Sequence, residues 1–339
     1  MVPEFGVRLP VAGPLASPDS IRRVATEAEG LGFDALWVHD FIAWTTFQDR
    51  THVSCGSLEA VEEAGAPPYF FESLTNLAFV AGITERIRIG VAVLCLPFRN
   101  PIVAAKQVAC IDVLSHGRLI LGVGVGAAKS THNVDFEVLG VSRTDKYART
   151  RDYLGAMRTI WTDDRPVYEG EFVSFPETEI YPKPEQRPYP PIWVGGGGPK
   201  SVDIAAEFAT GWLPPWVLPD EYPGRIAELR RAAAEKGRED VDFTIATEVY
   251  ACVGRTPEEA RRNSMRTVGV LPEGFADDAT PAAVSESGLI GSAEEISDKL
   301  RRYVAAGVQH YEMKFIYRSV DHLLEQLEMF SSEVIPNVR

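Results

Sequence analysis

The chain alternates between short runs of hydrophobic residues and longer segments in which hydrophobic positions recur every three or four residues. Short apolar runs bounded by glycine or proline are typical of buried strands, and the longer period is typical of amphipathic helices. Eight runs predict strands, at residues 5–9, 35–38, 87–94, 118–122, 192–194, 212–213, 243–253 and 311–316. A segment of helical period follows each run, so the pattern predicts parallel strands connected by helices.

Helix-capping residues stand at the start of several periodic segments. Ser17 precedes Pro18, an N-cap residue followed by proline in the first turn. Residues 256–259 and 292–295 each place a glutamate three positions after threonine or serine, which is the capping-box pattern. These signals fix helix starts independently of the hydrophobic period.

The alternation predicts one architecture, an α/β fold in which eight strands close into a (β/α)8 TIM barrel. No shift in composition divides the chain, so we expect a single domain over residues 1–339. Three irregular stretches, 41–68, 124–143 and 269–288, predict insertions after strands 2, 4 and 7. Loops of this length are often functional, and in TIM barrels the loops after the strands carry the chemistry.

Composition narrows the class of partner. The formal net charge is −14 and no basic stripe is present, which disfavours nucleic acid and anionic membranes as partners. The four cysteines lack CxxC spacing, the six histidines are dispersed without metal-ligand spacing, and no signal peptide precedes the first strand. We therefore expect a cytoplasmic protein that binds no metal and acts on a small-molecule substrate.

The segment from Pro191 to Ser201 carries the strongest candidate for ligand binding. A short strand is followed by four glycines, Gly195, Gly196, Gly197 and Gly198, and then by a helix that begins near Pro199. Backbone N–H groups in such a loop and at a helix N-terminus form a nest for an anion. A plain turn needs only one or two glycines, so the sequence predicts a phosphate site, with Lys200 and Ser201 adding donors.

Other strand ends supply candidate chemistry. His39 and Asp40 end strand 2, where an imidazole beside a carboxylate suits acid–base catalysis or cofactor binding. Residues 122–126 read GVGVG rather than the GxGxxG of a dinucleotide site, which favours backbone lying flat against a planar ligand. We expect Gly124, Val125 and Gly126 to contact this ligand. The substrate pocket is predicted to contain Trp44, His132 and Trp216.

Several segments resemble the luciferase-like monooxygenases, including their deazaflavin-dependent oxidoreductases of actinobacterial type. The matching segments are GFDALWV at 32–38, TERIRIG at 84–90, KQ at 106–107, DVLS at 112–115, GRLILGVGVG at 117–126, PPIWVGG at 190–196, GWLP at 211–214 and GS at 291–292. Together they span most of the predicted barrel in the same order as in the family.

The resemblance implies a TIM barrel that binds coenzyme F420, an 8-hydroxy-5-deazaflavin, or FMN at the C-terminal face. It places the cofactor phosphate at residues 195–201 and the ring against Ala92 and Val93, which many members join by a cis peptide. It also implies a homodimer. The chain departs from the family pattern at strand 2, where Asp40 matches the family's aspartate, Phe41 occupies the place of its histidine, and His39 precedes both.

These features predict a flavin- or deazaflavin-dependent oxidoreductase that transfers hydride to or from a small hydrophobic organic substrate with coenzyme F420. The alternative is an FMNH2-dependent monooxygenase of the same family. A phosphosugar isomerase or aldolase would need a lysine or paired carboxylates at strand ends, and the sequence shows Lys314 inside strand 8 but no evident pair. A non-catalytic flavin-binding protein is the remaining alternative, favoured by the absence of histidine at position 41.

Overall fold

The computed structural model describes residues 2–43, 69–126, 132–268 and 286–339. Eight parallel strands form the centre of the molecule. They are β1 Glu4–Arg8, β2 Ala35–Val38, β3 Arg88–Cys95, β4 Leu119–Gly124, β5 Ile192–Gly195, β6 Gly211–Leu213, β7 Thr244–Val253 and β8 His310–Phe315. All eight lie within a few residues of the strands that the hydrophobic pattern predicts.

The strands close into a barrel. Neighbours follow chain order from β1 to β6, β1 also pairs with β8, and β8 pairs with β7. The last seam joins β6 to β7, with Gly211 opposite Thr244 and Trp212 opposite Ile245. The predicted (β/α)8 barrel is thus confirmed.

Helices surround the barrel. They are α1 Pro18–Gly30, α2 Ser73–Ala81, α3 Pro101–Leu114, α4 His132–Val138, α5 Lys146–Thr162, α6 Pro199–Phe208, α7 Tyr222–Ala234, α8 Pro257–Val268, α9 Ala293–Ala305, α10 Val320–Met329 and α11 Ile335–Val338. Short 3-10 turns cover Leu96–Phe98 and Pro219–Glu221, and a π-helical turn covers Phe330–Val334. The predicted caps at Ser17 and Ser292 are present. In the described residues no helix is both long and apolar enough to cross a membrane.

Three minor strand pairings lie outside the eight-stranded ring. Ala12–Gly13 pairs with Tyr69–Phe70, Tyr168–Glu169 with Ser174–Phe175, and Leu289–Gly291 with the end of β7. The connections after β2, β4 and β7 each contain residues outside the described ranges, so the three insertions stay a prediction. The sequence analysis did not predict α4, which occupies part of the connection after β4.

A layer of large side chains fills the lower half of the barrel. The rings of Trp37 on β2 and Trp193 on β5 lie 5.4 Å apart, and His310 on β8 contacts both. Trp37 Nε1 donates to His310 Nε2 at 3.1 Å, and His310 Nδ1 lies 3.0 Å from Glu4 Oε2. Burial lowers the pKa of His310, so a neutral ring that accepts from Trp37 and donates to Glu4 fits both bonds.

Glycines on the other strands make room for these rings. A Cβ added to Gly6 or Gly90 would lie 2.3 or 2.4 Å from the Trp37 ring, and one added to Gly211 would lie 2.4 Å from Trp193. Real Cβ atoms do not approach other atoms so closely, and close-packed interiors do not yield without strain. The layer therefore requires glycine at these positions.

We predict that Gly90→Ala lowers the free energy of unfolding by about 1–3 kcal/mol, because the methyl group overpacks a ring already held by Trp193 and His310. Gly224→Ala is the control, since no atom lies within 4 Å of its added Cβ. It should leave stability unchanged or slightly raised. Chemical denaturation of both variants measures the difference, and equal stability of the two would contradict the packing argument.

Candidate active site at the barrel mouth

Alternation along the strands decides which side chains enter the mouth of the barrel, its C-terminal opening. Because successive residues of a strand face opposite sides, the inward position of Trp37 places His39 inside and Asp40 outside. In the same way, inward His310 places Glu312 and Lys314 inside on β8. Ala246, which packs in the interior cluster with Trp37 and Trp193, places Glu248 and Tyr250 inside on β7.

One wall of the mouth carries almost no side chains. The β3–β4 pairing shifts register between Val91 and Leu94, and both Ala92 and Val93 pack with the interior cluster. The Ala92–Val93 peptide is cis, as the resemblance predicted. A Cβ on Gly124 would lie 2.3 Å from the Val93 side chain, and one on Gly195 would lie 2.7 Å from it. The two glycines therefore admit Val93 into the space between β4 and β5, leaving a low surface on which a flat ligand fits.

The glycine loop stands at the edge of this wall. Gly196 has a φ of +95°, a conformation that favours glycine, and its carbonyl accepts from Trp212 Nε1 at 3.0 Å. Gly198 caps α6, and its carbonyl accepts from Ser201 N and Val202 N. Within the described part of the chain, the N–H groups of Gly197, Gly198 and Lys200 donate to no backbone carbonyl. A loop with free donors at a helix start suits an oxyanion such as a phosphate.

Charged side chains border the same loop. Arg225 Nη1 lies 3.0 Å from the point where a Cβ on Gly197 would stand, and Arg225 also pairs with Glu221 at 3.2 Å. Lys200 is exposed, with its ammonium 5.2 Å from the centre of the Tyr147 ring, while Ser201 is buried. The sequence analysis did not single out Arg225, which lies on a helix that follows a different strand.

His39 is 2% exposed and lies among aromatic rings. Its imidazole contacts Phe70 edge to face at 4.9 Å and Phe41 at 5.7 Å. His39 follows Val38, which pairs with Val91, so it lies beside the Ala92 end of β3. The strand register therefore places His39 next to Ala92, at one edge of that wall.

Asp40 points the other way and is the centre of a hydrogen-bond cluster between strands and helices. Arg99 donates to both carboxylate oxygens at 2.6 Å, Ser73 Oγ donates at 2.9 Å, and Cys95 N donates at 2.9 Å. Four donors saturate most of the acceptor capacity of a carboxylate. The structure thus ties the ends of β2 and β3 to α2, and Asp40 and Glu72 neutralise the charge of Arg99.

The structure describes some of the remaining predicted site residues and not others. Gly126 has a φ of +81° and packs near Phe136, and its carbonyl accepts from Lys146 Nζ at 2.8 Å. Trp216 follows β6 with a φ of +53°, uncommon for a bulky residue, and its ring lies 5.7 Å from the Lys314 ammonium. Val125 is half-buried. Trp44 lies outside the described residues, and of His132 only the backbone, at the start of α4, is described.

A buried charge cluster forms the wall opposite the glycines. Arg8 Nε donates to Glu312 Oε1 at 2.6 Å, and Arg8 Nη2 lies 3.6 Å from Glu248 Oε2 and donates to Ala92 O at 3.2 Å. Lys314 donates to Glu248 Oε1. Glu248 lies directly opposite Glu312 in the register of β7 and β8. This carboxylate pair is the one that the sequence analysis did not find.

The ionisable groups of the cluster differ in the direction in which their pKa values shift. Burial raises the pKa of Glu312 to about 7, although Arg8 opposes the shift. Burial opposes ionisation of Glu248 too, but Lys314 and Arg8 outweigh it and lower the pKa of that carboxyl. Burial lowers the pKa of Lys314. Burial therefore favours the neutral form of Glu312, whereas Lys314 and Arg8 favour the charged form of Glu248.

A second buried carboxylate holds the segment after β2. Asp135 Oδ1 on α4 accepts from Ile42 N at 3.1 Å and from Ala43 N at 2.7 Å. The other oxygen, Oδ2, has no hydrogen-bond partner among the described residues. Burial raises the pKa of Asp135 to about 6, against the effect of the two N–H donors. Sequence reasoning missed this residue because its partners are backbone groups about 90 residues away.

Comparison with known proteins identifies the family of the chain. The sequence model of the luciferase-like monooxygenases matches residues 4–310. The F420-dependent glucose-6-phosphate dehydrogenase of Amycolatopsis mediterranei (strain U-32) is 28% identical over 345 residues, covering 95% of each chain. The oxygenase component of the flavin-dependent trigonelline monooxygenase of Acinetobacter baylyi (strain ATCC 33305 / BD413 / ADP1) is 27% identical over 290 residues, covering 77% of this chain and 79% of that protein.

A solved structure agrees in fold. An F420-dependent secondary alcohol dehydrogenase, in complex with an F420–acetone adduct, superposes with a TM-score of 0.80 and 20% identity over the whole of both chains. At this identity the likeness concerns the barrel alone.

We predict that Asp135→Asn changes the pH dependence of stability. A carboxyl whose pKa is raised on folding stabilises the protein fully below its unfolded pKa, near 4, and loses that contribution as pH rises through about 6. Relative to the variant, the wild type should therefore lose about 1–3 kcal/mol of unfolding free energy between pH 4 and pH 7. Denaturation curves at both pH values measure it, and a pH-independent difference would contradict the assignment.

Proposed function

The chain belongs to the luciferase-like monooxygenase family, and we propose that it is an oxidoreductase that moves a hydride to or from a small organic substrate with coenzyme F420. The observation that carries the proposal is the wall of small residues at Ala92, Val93, Gly124 and Gly195, which is continuous with the glycine loop. A planar ring with a phosphate-bearing tail has the shape and charge that this surface accommodates. The 28% identity to an F420-dependent dehydrogenase over 95% of both chains favours the deazaflavin.

The residues present fit such a cofactor. Gly195, Gly196, Gly197 and Gly198, with Lys200 and Ser201, would hold the phosphate, and Gly124, Val125 and Gly126 would line the ring with Ala92 and Val93. When bound, the deazaflavin supplies the hydride acceptor or donor. The chain itself contributes binding, orientation and the exclusion of water.

His39 is the proposed proton-transfer group of this site. Its imidazole faces the barrel interior beside the ring wall, and the rings of Phe41 and Phe70 hold its orientation. Oxidation of an alcohol or reduction of a carbonyl requires one proton for each hydride moved, and a histidine titrates in the useful range. Asp40 supports the cofactor site by fixing the end of β2 relative to β3. Trp44, His132 and Trp216 remain the proposed lining of the substrate pocket.

A second candidate is an FMNH2-dependent monooxygenase. The glycine loop would hold the FMN phosphate equally well, and the trigonelline monooxygenase relative is flavin-dependent. The two functions differ in their co-substrate, because reduced FMN activates oxygen whereas a 5-deazaflavin transfers hydride.

Domain organisation, oligomeric state and cellular location are also part of the proposal. We expect one barrel domain over residues 1–339, acting as a homodimer in the cytoplasm. The free thiols of Cys95, Cys110 and Cys252 fit a reducing compartment. Light scattering decides the dimer, and a monomer mass at micromolar concentration would rule it out.

We predict that Gly197→Val weakens binding of FMN or F420 at least tenfold, because the new side chain enters the phosphate nest. Riboflavin and the dephosphorylated deazaflavin should keep their affinity, since they lack the group that the nest holds. The added Cβ meets only the flexible end of Arg225 within 3.5 Å, so the fold should persist. Fluorescence titration measures all four affinities, with Gly30→Val as a control in open space. Equal losses with and without the phosphate would contradict the nest.

We predict that His39→Ala lowers kcat by about 10²–10⁴ without a matching loss of cofactor affinity. Purified protein is first tested for F420 reduction by a panel of secondary alcohols without oxygen, and for oxygen uptake with reduced FMN. Loss of the deazaflavin absorbance supports hydride transfer, and oxygen-dependent product formation with FMN supports the alternative. His116→Asn is the control because His116 lies after α3, at the opposite end of the barrel. Full kcat in His39→Ala would exclude the proton-transfer role.

A further inference from the structure

The two walls of the barrel mouth differ in chemistry. Ala92, Val93, Gly124 and Gly195 present backbone and small apolar groups, whereas β1, β7 and β8 present Arg8, Glu248, Tyr250, Glu312 and Lys314. In an eight-stranded barrel, β7 and β8 lie across the opening from β3 and β4. A ring resting on the glycine wall therefore leaves the charged wall facing the substrate.

Exposure distinguishes the members of the charged wall. The side chains of Arg8 and Glu312 are 7% and 0% exposed, whereas those of Lys314 and Glu248 are 10% and 15% exposed. Arg8 and Glu312 form the deep pair, and Lys314 and Glu248 form the pair that borders the open space of the mouth. Lys314 and Glu248 are thus the members that a ligand entering from the C-terminal face can reach most readily.

Lys314 has donor capacity to spare. An ammonium group carries three N–H donors, and the one acceptor it has among the described residues is Glu248. Its nitrogen lies 5.4 Å from the centre of the Tyr250 ring and 5.7 Å from that of Trp216. Cation–π contacts at these distances hold the charge in place without using an N–H acceptor.

Two further polar atoms around the cluster also lack partners. The Tyr250 hydroxyl and Glu312 Oε2 are both buried and make no hydrogen bond to any described residue. Buried polar atoms in folded proteins are nearly always paired with protein, water or ligand. Unpaired groups on neighbouring strands, facing the same interior, indicate a place where a polar group of a ligand enters.

We propose that Lys314 selects substrates that carry a neutral oxygen acceptor, a carbonyl or hydroxyl group, which it binds by an N–H donor above Trp216 and Tyr250. This rests on the proposed function. Two cations and two carboxylates give the cluster no net charge when all are ionised, which disfavours a strongly charged ligand. The rings of Trp216 and Tyr250 beside Lys314 give the rest of the substrate an apolar surface, which favours hydrocarbon. The substrate class is thus an apolar ketone or alcohol.

The test compares cyclohexanone with methylenecyclohexane, in which a methylene group replaces the carbonyl oxygen. Neither is expected to react with oxidised cofactor, so binding is measured without turnover. The wild type should bind the ketone at least tenfold more tightly, because the isostere leaves the Lys314 donor unpaired. Lys314→Met should reduce the difference to less than twofold, and Lys314→Arg should retain part of it. Lys299→Met is the matched control, since Lys299, on α9, donates to Gly288 O and is not part of the charged wall.

The titrations are run by saturation-transfer NMR with and without oxidised cofactor, and cofactor affinity is measured for every variant. A wild type without preference for the ketone, or a Lys314→Met variant that keeps it, would overturn the role of Lys314. Failure of the wild type to bind either cofactor would overturn the proposed function and leave the ketone comparison valid. If Lys314→Met does not fold, the double variant Lys314→Met/Glu248→Gln removes both charges of the pair and gives the same comparison.

Discussion

The volume inside the barrel is the constraint on which the site depends. Trp37, Trp193 and His310 fill the lower half so completely that the strands facing them carry glycine. This layer forms a floor, and a ligand entering from the C-terminal side would meet the side chains above it. Because the strands are parallel, their carboxyl ends all meet in this upper half, which brings residues from position 8 to position 314 together.

On the outer face of the barrel, Asp40 fixes the end of β2 relative to β3 and α2. Its carboxylate joins the end of β2 to Cys95 N at the end of β3, to Ser73 at the start of α2, and to Arg99 beyond β3. A buried carboxylate with a bidentate arginine is strongly bound and geometrically specific. The two adjacent residues therefore have different roles. His39 faces the barrel interior, and Asp40 holds the end of the strand that carries His39.

Much of this arrangement follows from local sequence. The strands, the capped helices and the phosphate-binding glycine loop could be predicted because each depends on residues adjacent in the chain. The placement of the ring against Ala92 and Val93 came from the family resemblance. The charge cluster was not predictable in that way, since Arg8 and Glu312 are 304 positions apart and an arginine at a strand end ordinarily faces solvent. Asp135 was missed for a related reason, because its acceptors serve backbone N–H groups that no side-chain pattern reveals. The register of β1 and β8 decides the first contact, and the packing of α4 against the segment after β2 decides the second.

One contact joins the two walls of the mouth. Arg8 binds Glu312 on the charged wall and the carbonyl of Ala92 on the glycine wall through the same guanidinium. A ligand on either wall that displaces this guanidinium would therefore affect the other wall, and such a coupling is reciprocal. Burial raises the pKa of Glu312 to about 7, so protonation of this carboxyl near neutral pH would weaken its bond to Arg8.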